Sequence, residues 1–280
     1  MYLSENDIKQ IDEAYASIPK SGELAYTMTN DYLFRAVLQE NEHILKGLVC
    51  SLLALKDSDV ESITIQNPIE LGASIDEHTY ILDILVMLNN NQLLNLEMQV
   101  INEGFWAERS LAYLCRTYDR LQRGRKYSEL LPIHQIGILN FSLFPEEPSF
   151  YSHYKFLDTK TNKEYSRNLQ ISVLDLTQIK LATDDDRSCK IDYWAKLFKS
   201  KTWEEIRMLA EREPIFKEVA TAVKTLTEEE KIRMQCEARE EYYRLQDSIQ
   251  GKIADLEATL AEKDAKIAEL EKQLAALHQK

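Results

Sequence analysis

The sequence predicts an α/β fold: a mixed central sheet flanked by helices, then a helical region and a C-terminal coiled coil. Three observations predict it. Residues 80–88 (YILDILVML) and 93–101 (LLNLEMQVI) are apolar runs of strand length, the pattern of central strands buried on both faces. The elements around them read helix, strand, strand, strand, helix, strand, an order that implies an α/β core. From Ile249 onward, apolar residues recur with heptad spacing.

Each element follows from its own residues. Residues 1–26 are polar and form an accessory helix or arm. Asn30 to Leu55 is helical, because Phe34, Val37 and Leu38, then Ile44, Leu45, Leu48, Val49 and Leu52, fall at helical spacing. Asn41 divides this stretch into two helices, and Asp31, after Asn30, is the expected N-cap. Residues 62–66 form a short strand closed by Asn67 and Pro68. The two apolar strands follow, joined by the turn residues Asn89 to Gln92. Gly104 to Gly124 is a helix, and 132–141 another apolar strand. Pro145 and Pro148 mark a loop. Residues 169–176 form a further strand, and 184–187 (DDDR) a polar break. From Asp192 the chain is helical, interrupted near Pro214.

The tail carries Ile249, Ile253, Leu256, Leu260, Ile267, Leu270, Leu274 and Leu277 in 3-4 alternation, with Lys263 the one polar residue of the seam. Lys252 and Lys266 take g positions, and Glu257 and Glu271 the following e positions. In a parallel homodimer these charges face each other across the seam. The competing reading is a lone amphipathic helix folded back on the core.

Composition narrows the function. The net charge is −13, so any nucleic-acid contact needs a local basic patch. The cysteines Cys50, Cys115, Cys189 and Cys236 are scattered, and the five histidines lack metal-ligand spacing. These features argue for a reduced, cytoplasmic setting and against a zinc enzyme. The acidic N-terminus is not a signal peptide. No apolar run approaches the ~20 residues of a membrane span. Neither Gly-x-Gly-x-x-Gly nor a phosphate-cradling Gly-Lys-Ser/Thr occurs.

The chemistry is expected where acids interrupt the two apolar strands. Asp83 sits in the first, Glu97 and Gln99 in the second. A buried carboxylate is costly unless paired, hydrogen-bonded or metal-bound. Alternation places Glu97 and Gln99 on one face, with Leu96, Met98 and Val100 on the other. A hairpin lets Asp83 approach Glu97, and an oxygen-lined pocket of this kind suits Mg2+ or Mn2+. The bland alternative is two acids at strand ends, capped by amides or open to water. On the next helix, Arg109, Tyr113, Arg116, Arg120 and Arg123 project to one side, and Leu111, Leu114, Tyr118 and Leu121 to the other. Six basic residues against two acidic ones fall within 104–126. This face suits a phosphate backbone; alternatively its arginines pair with Glu108 and Asp119. Asp31, Glu40 or Glu42 can supply a third acid. His134, on an apolar strand, is expected to be a satisfied core residue. The tyrosine pairs Tyr151 with Tyr154 and Tyr242 with Tyr243 are expected to pack rather than stack on bases.

At these residues the chain resembles the PD-(D/E)XK nuclease superfamily, and more narrowly its "PD-(D/E)XK family transposase" or Rpn-like recombination-promoting nuclease group. The matching residues are 29–34 (TNDYLF), Leu82 with Asp83, 96–99 (LEMQ), 109–113 (RSLAY), and 124–127 (GRKY) leading into Leu131 and Pro132. The resemblance spans about residues 27–200. It implies a restriction-endonuclease-like core that cleaves DNA with Mg2+. Asp83 takes the motif Asp and Glu97 the motif Asp/Glu, with the Met98 carbonyl a third ligand. Gln99 stands where the superfamily typically has lysine. A glutamine orients water but brings no positive charge, which leaves the metal and Arg109 to supply it. Leu82 replaces the motif proline.

The expected organisation is an N-terminal arm (1–26), a nuclease-like domain (27–200), a helical extension (201–245) and the coiled coil (246–280). The expected activity is metal-dependent DNA cleavage by a homodimer, with RNA also open as a substrate. The alternative is a nuclease-fold binding or assembly protein without useful turnover.

Overall fold

The structure, a computed structural model, describes residues 5–67, 69, 84–119 and 126–278. Asp83, Arg120, Leu121 and Arg123 lie outside the described residues, as do residues 80–82, Pro68 and Gly124. The chain divides into two compact units, residues 1–239 and 240–280.

In chain order the first elements are α1 (Glu5–Ala16), α2 (Asp31–Glu40), α3 (Glu42–Leu53), β1 (Ile63–Ile65), β2 (Ile84–Leu88) and β3 (Gln92–Gln99). Next come α4 (Trp106–Tyr118), β4 (Ile133–Leu139), β5 (Tyr151–Lys155) and β6 (Leu169–Asp175). The remainder is helical: α5 (Asp184–Ser188), α6 (Ile191–Lys199), α7 (Trp203–Ala210), α8 (Ile215–Glu228) and α9 (Glu230–His278). The strands form one mixed sheet of order β1-β2-β3-β4-β6-β5. β2 and β3 are an antiparallel hairpin, while β3, β4 and β6 run parallel. The mixed sheet with flanking helices matches the expected core. Asn89 and Asn90 make the β2–β3 turn with φ of 50° and 54°, positive values that asparagine tolerates better than most residues.

Alternation sorts each strand between two cores. Leu94, Leu96 and Met98 of β3, with Ile136 and Ile138 of β4, pack into the larger core with α2, α3, α6 and α8. The opposite face carries Leu85, Leu93, Ile133, Leu139, Ile171 and Val173, covered by Trp106 and Leu114 of α4. Gly137 of β4 permits this cover. A Cβ there would lie 2.1 Å from a Trp106 ring carbon, so the indole sits directly on the strand backbone. Overpacking of that kind costs about 1–3 kcal/mol. Gly137→Ala is expected to lose about 2–3 kcal/mol in urea unfolding at unchanged m, and Gly137→Ala/Trp106→Leu to recover part of it.

Several expectations shift. Asn30, not Asp31, is the N-cap of α2: its side chain accepts from the Leu33 amide at 3.2 Å and donates to the Cys236 carbonyl at 2.9 Å. The acidic stretch 184–187 lies in a short helix, α5, because Thr183 and Asp186 form a capping box at its start. The edge strand β5 has no counterpart among the strands expected from the sequence. Leu111, expected to pack, is 41% exposed, since α4 buries Trp106, Ser110 and Leu114 instead. The tail is helical as expected, as part of α9, but a coiled coil is a property of two chains.

His134 is the satisfied core residue expected of it. It is buried, and its Nε2 lies 2.7 Å from Ser172 Oγ, which is also 2.7 Å from His153 Nδ1. Burial, with smaller contributions from His153 and Lys155, lowers the His134 pKa from 6.5 to about 3. Folding therefore favours the neutral ring. The stability this supplies is complete above pH 6.5 and is lost as pH falls from 6.5 toward 3, by about 1.4 kcal/mol per pH unit. His134→Gln is expected to flatten that part of the acid limb in urea titrations at stepped pH.

Candidate active site

Glu97 lies on β3, a central strand, and is only 7% exposed. Its register partner on β4 is Gly137, while Asn95 and Gln99 on the same face pair with Gln135 and Leu139. One apolar strand thus presents three polar side chains toward α4. They form an ordered hydrogen-bond chain. Asn95 Nδ2 donates to Gln135 Oε1 at 2.8 Å, and Gln135 Nε2 donates to Glu97 Oε2 at 3.2 Å. The other Glu97 oxygen, Oε1, accepts from Arg109 Nη2 at 2.7 Å. The same Nη2 reaches Gln99 Oε1 at 2.7 Å, and Nη1 reaches Glu103 Oε2 at 2.8 Å. Gln99 Nε2 in turn donates to the Ile101 carbonyl at 2.9 Å.

Arg109 is in the first turn of α4, so docking of that helix through Trp106 onto Gly137 carries its guanidinium to the carboxylate. Charge-assisted hydrogen bonds of this length are the strong class. The arginine sits between two carboxylates, Glu97 and Glu103, and its side chain is 22% exposed. One cation against two anions leaves the described site with an excess of negative charge. Two donors near this centre, Trp106 Nε1 and Arg109 Nε, are buried and find no partner among the described residues. Such donors are costly to leave unmet, and they suit a bound water or an anionic oxygen.

The remaining predicted residues fall into separate groups. Tyr113 and Arg116 follow Arg109 on α4, with the Arg116 guanidinium 6.0 Å from the Tyr113 ring centre. Among the third-acid candidates, Asp31 is buried and makes a two-pronged ion pair with Arg239, through Nε to Oδ1 at 2.7 Å and Nη2 to Oδ2. Glu40 and Glu42 are exposed on α2 and α3. Among the described residues, no three His, Cys, Asp or Glu side chains are grouped to hold a metal. Glu97 itself is met by two N–H donors, Arg109 Nη2 and Gln135 Nε2, and the oxygens that share Arg109 with it are the Glu103 carboxylate and the Gln99 amide oxygen. Oxygens of this kind fit a hard ion such as Mg2+ or Mn2+ better than zinc.

Glu103, Gln135, Asn95 and the Trp106–Gly137 contact are not among the residues expected from the sequence. Neither are the ties of β1 and β2 to α2. The buried Arg35 donates through Nη2 to the Asn67 carbonyl, and Gln39 exchanges hydrogen bonds of 2.8 and 2.9 Å with the Ile69 backbone. Asn67 Oδ1 accepts from the Leu85 amide at 2.8 Å. These contacts fix the chain on both sides of residues 70–83. A polar residue in an apolar run, the signal that identified Glu97, was equally present at Gln135.

Among the described residues, no helix is long and apolar enough to cross a membrane. No curated protein and no solved structure matches the chain at a significant level. One family model does, over residues 28–252, which include β2, β3, α4 and β4. The chain therefore belongs to the PD-(D/E)XK nuclease family transposases.

Proposed function

We propose that this protein is a DNA endonuclease that hydrolyses phosphodiester bonds with Mg2+ or Mn2+, of the recombination-promoting nuclease type. The carrying observation is Glu97: a buried carboxylate on a central strand of a nuclease-family chain, held between Gln135 and Arg109. Asp83 is its proposed partner in holding the metal. In sequence it directly precedes Ile84, whose register partner is Leu96, the residue before Glu97. A bound divalent ion supplies an activated water and stabilises charge on the phosphoryl oxygen. The protein's own residues do the rest. Gln99 orients the water by hydrogen bonding. Arg109 brings the positive charge that glutamine lacks. Arg109, Tyr113 and Arg116, with Arg120 and Arg123 beyond them, guide the phosphate backbone. The catalytic unit is residues 27–200, extended by 201–245, and residues 246–280 pair two chains so that two sites act on one duplex.

The Arg109–Glu97 pair also favours a second reading. If the guanidinium holds Glu97 permanently, it takes the place of a metal, and the protein is a nuclease-fold binding or assembly module. Nicking of supercoiled plasmid with Mg2+ or Mn2+ separates the two. The nuclease reading expects wild type to nick only with metal and Asp83→Asn to lose the activity. Equal nicking by the variant would place the activity in another site or a contaminant, and none by wild type would move the assignment to the assembly protein.

A further inference from the structure

The chain between β5 and β6 forms an exposed arm that no role above uses. It is a small hairpin. The Tyr165 amide bonds to the Phe156 carbonyl at 2.8 Å, Leu157 bridges to Glu164, and the Asp158 amide bonds to the Lys163 carbonyl at 2.9 Å. The Asp158 carboxylate is spent inside the turn. It accepts from the amides of Thr161 at 2.7 Å and Lys160 at 2.9 Å, and these contacts hold its pKa below the ordinary carboxylate value.

Two features of the arm are unusual for a surface loop. The first is aromatic. Tyr154, expected from the sequence to pack, is 39% exposed, with Phe156 at 42% and Tyr165 at 89%. The three also share a side. Tyr154 pairs with Ile171 of β6, which belongs to the apolar face that bears Glu97. Phe156 follows by alternation, and Tyr165 lies directly opposite Phe156 in the hairpin. Phe144 extends the row, its ring 6.2 Å from Tyr154. The second feature is charge. Residues 153–167 hold four basic and two acidic residues in a chain of net charge −13. Lys155 and Arg167 share the single carboxylate of Glu164. Lys160 and Lys163 have no acidic partner among the described residues.

A row of exposed rings beside unpaired lysines is what a single nucleic-acid strand requires: faces for bases to stack on, and cations for its phosphates. A protein partner would also gain from the rings, but a strand supplies both halves of the match at once, stacking bases for the rings and a regular row of phosphates for the lysines. We infer that the arm 154–167 is a binding platform for a single nucleic-acid strand, engaging DNA beyond the cleavage site. The inference rests on the nuclease reading for its substrate. Glu97, Gly137, Val173 and Ser152 form one row across the sheet, so three strand spacings, about 14 Å, separate the Glu97 strand from β5. That is about four nucleotides of stacked strand.

The test is fluorescence anisotropy of a labelled DNA oligonucleotide of about 20 nucleotides, single-stranded and as duplex, with the full chain in EDTA. Phe156→Ala/Tyr165→Ala is expected to weaken single-strand binding at least about tenfold and duplex binding much less. Lys160→Glu/Lys163→Glu is expected to lower the slope of log Kd against log salt by about 1.4. All four side chains are on the exposed arm, and thermal unfolding is the check that each variant keeps its fold. Wild-type affinity and salt slope in both variants would overturn the inference, as would no single-strand binding by wild type. Loss of self-association without loss of DNA affinity would reassign the arm to a contact between chains. Because the assay contains no metal, lost binding in the arm variants alongside absent plasmid nicking would retain the arm and reject the nuclease. Unchanged binding alongside metal-dependent nicking would do the reverse.

Discussion

Glu97→Gln is expected to lower metal-dependent nicking by about 100- to 1000-fold, as loss of several kcal/mol of metal-assisted stabilisation requires. Glutamine is the informative replacement because it separates charge from shape. Its amide oxygen can still accept from Arg109 Nη2, which now meets Glu97 Oε1 at 2.7 Å, and its NH2 can face Gln135 Oε1 once the Gln135 and Asn95 amides are both turned over. Alanine would instead leave the guanidinium with only Gln99 and Glu103, and breaking a part-buried pair costs stability of its own. What glutamine removes is the anionic ligand. Manganese binding measured by calorimetry should therefore fall with the activity, while the unfolding midpoint in urea stays near wild type. If Glu97→Gln nicks like wild type, the carboxylate is structural. If it loses its fold together with its activity, Glu97 is a core anchor and the metal assignment fails.

The same pair makes Arg109 central to the charge balance. In the described site it neutralises one of two carboxylates. A divalent ion held by Glu97 would compete with the guanidinium for that carboxylate. The arginine can remain on Gln99 and Glu103 while yielding Glu97, since its two Nη groups reach all three acceptors. This gives a physical meaning to a glutamine at position 99: a lysine there would place a second cation against the guanidinium.

The parts of this arrangement that were legible in the sequence are those with a local signature. A carboxylate inside an apolar run is expensive, so Glu97 marked both the strand and the candidate site. Alternation then fixed which neighbours share its face. The Asn89–Asn90 turn was legible because its positive φ values favour asparagine, and Asn41 because its side-chain amide can bond back to a carbonyl of the preceding turn, here Val37 at 2.8 Å. β5 was not, because Tyr151 to Lys155 is a half-polar edge strand whose outer residues are exposed, and nothing in its pattern differs from a loop. The rotation of α4 was misread for a tertiary reason. Its apolar residues suggested Leu111 as part of the packed face, but the helix is set by Trp106 lying on Gly137, a contact between residues 31 positions apart. Glu103 carries no local signal at all; it matters only because Arg109 reaches it.

Leu260→Asp combined with Leu270→Asp is expected to convert a dimer into a monomer, read by sedimentation over a range of concentrations. In the single chain the heptad seam is open: Ile253 is 42%, Leu256 69%, Leu260 60%, Ile267 53%, Leu270 49% and Leu274 58% exposed. A helix with a bare apolar stripe is marginal alone, because most helical stability in proteins comes from packing that face. Burying each seam residue contributes about 1.5–3 kcal/mol, which over six residues exceeds the lower part of the association cost of about 4–15 kcal/mol. Two aspartates remove two of these contributions and place like charges at the seam, so the dimer constant should weaken by at least about 1000-fold. Lys263→Leu should act in the opposite direction, since it fills the one polar seam position. Orientation is separable from association. Lys252 with Glu257 and Lys266 with Glu271 are complementary in a parallel pair, so Ile253→Cys should crosslink readily between chains under mild oxidation. Efficient dimerisation without that crosslink would mean an antiparallel pair. A monomer at every concentration would mean that the seam serves no second copy, and that paired cleavage of one duplex must be abandoned with it.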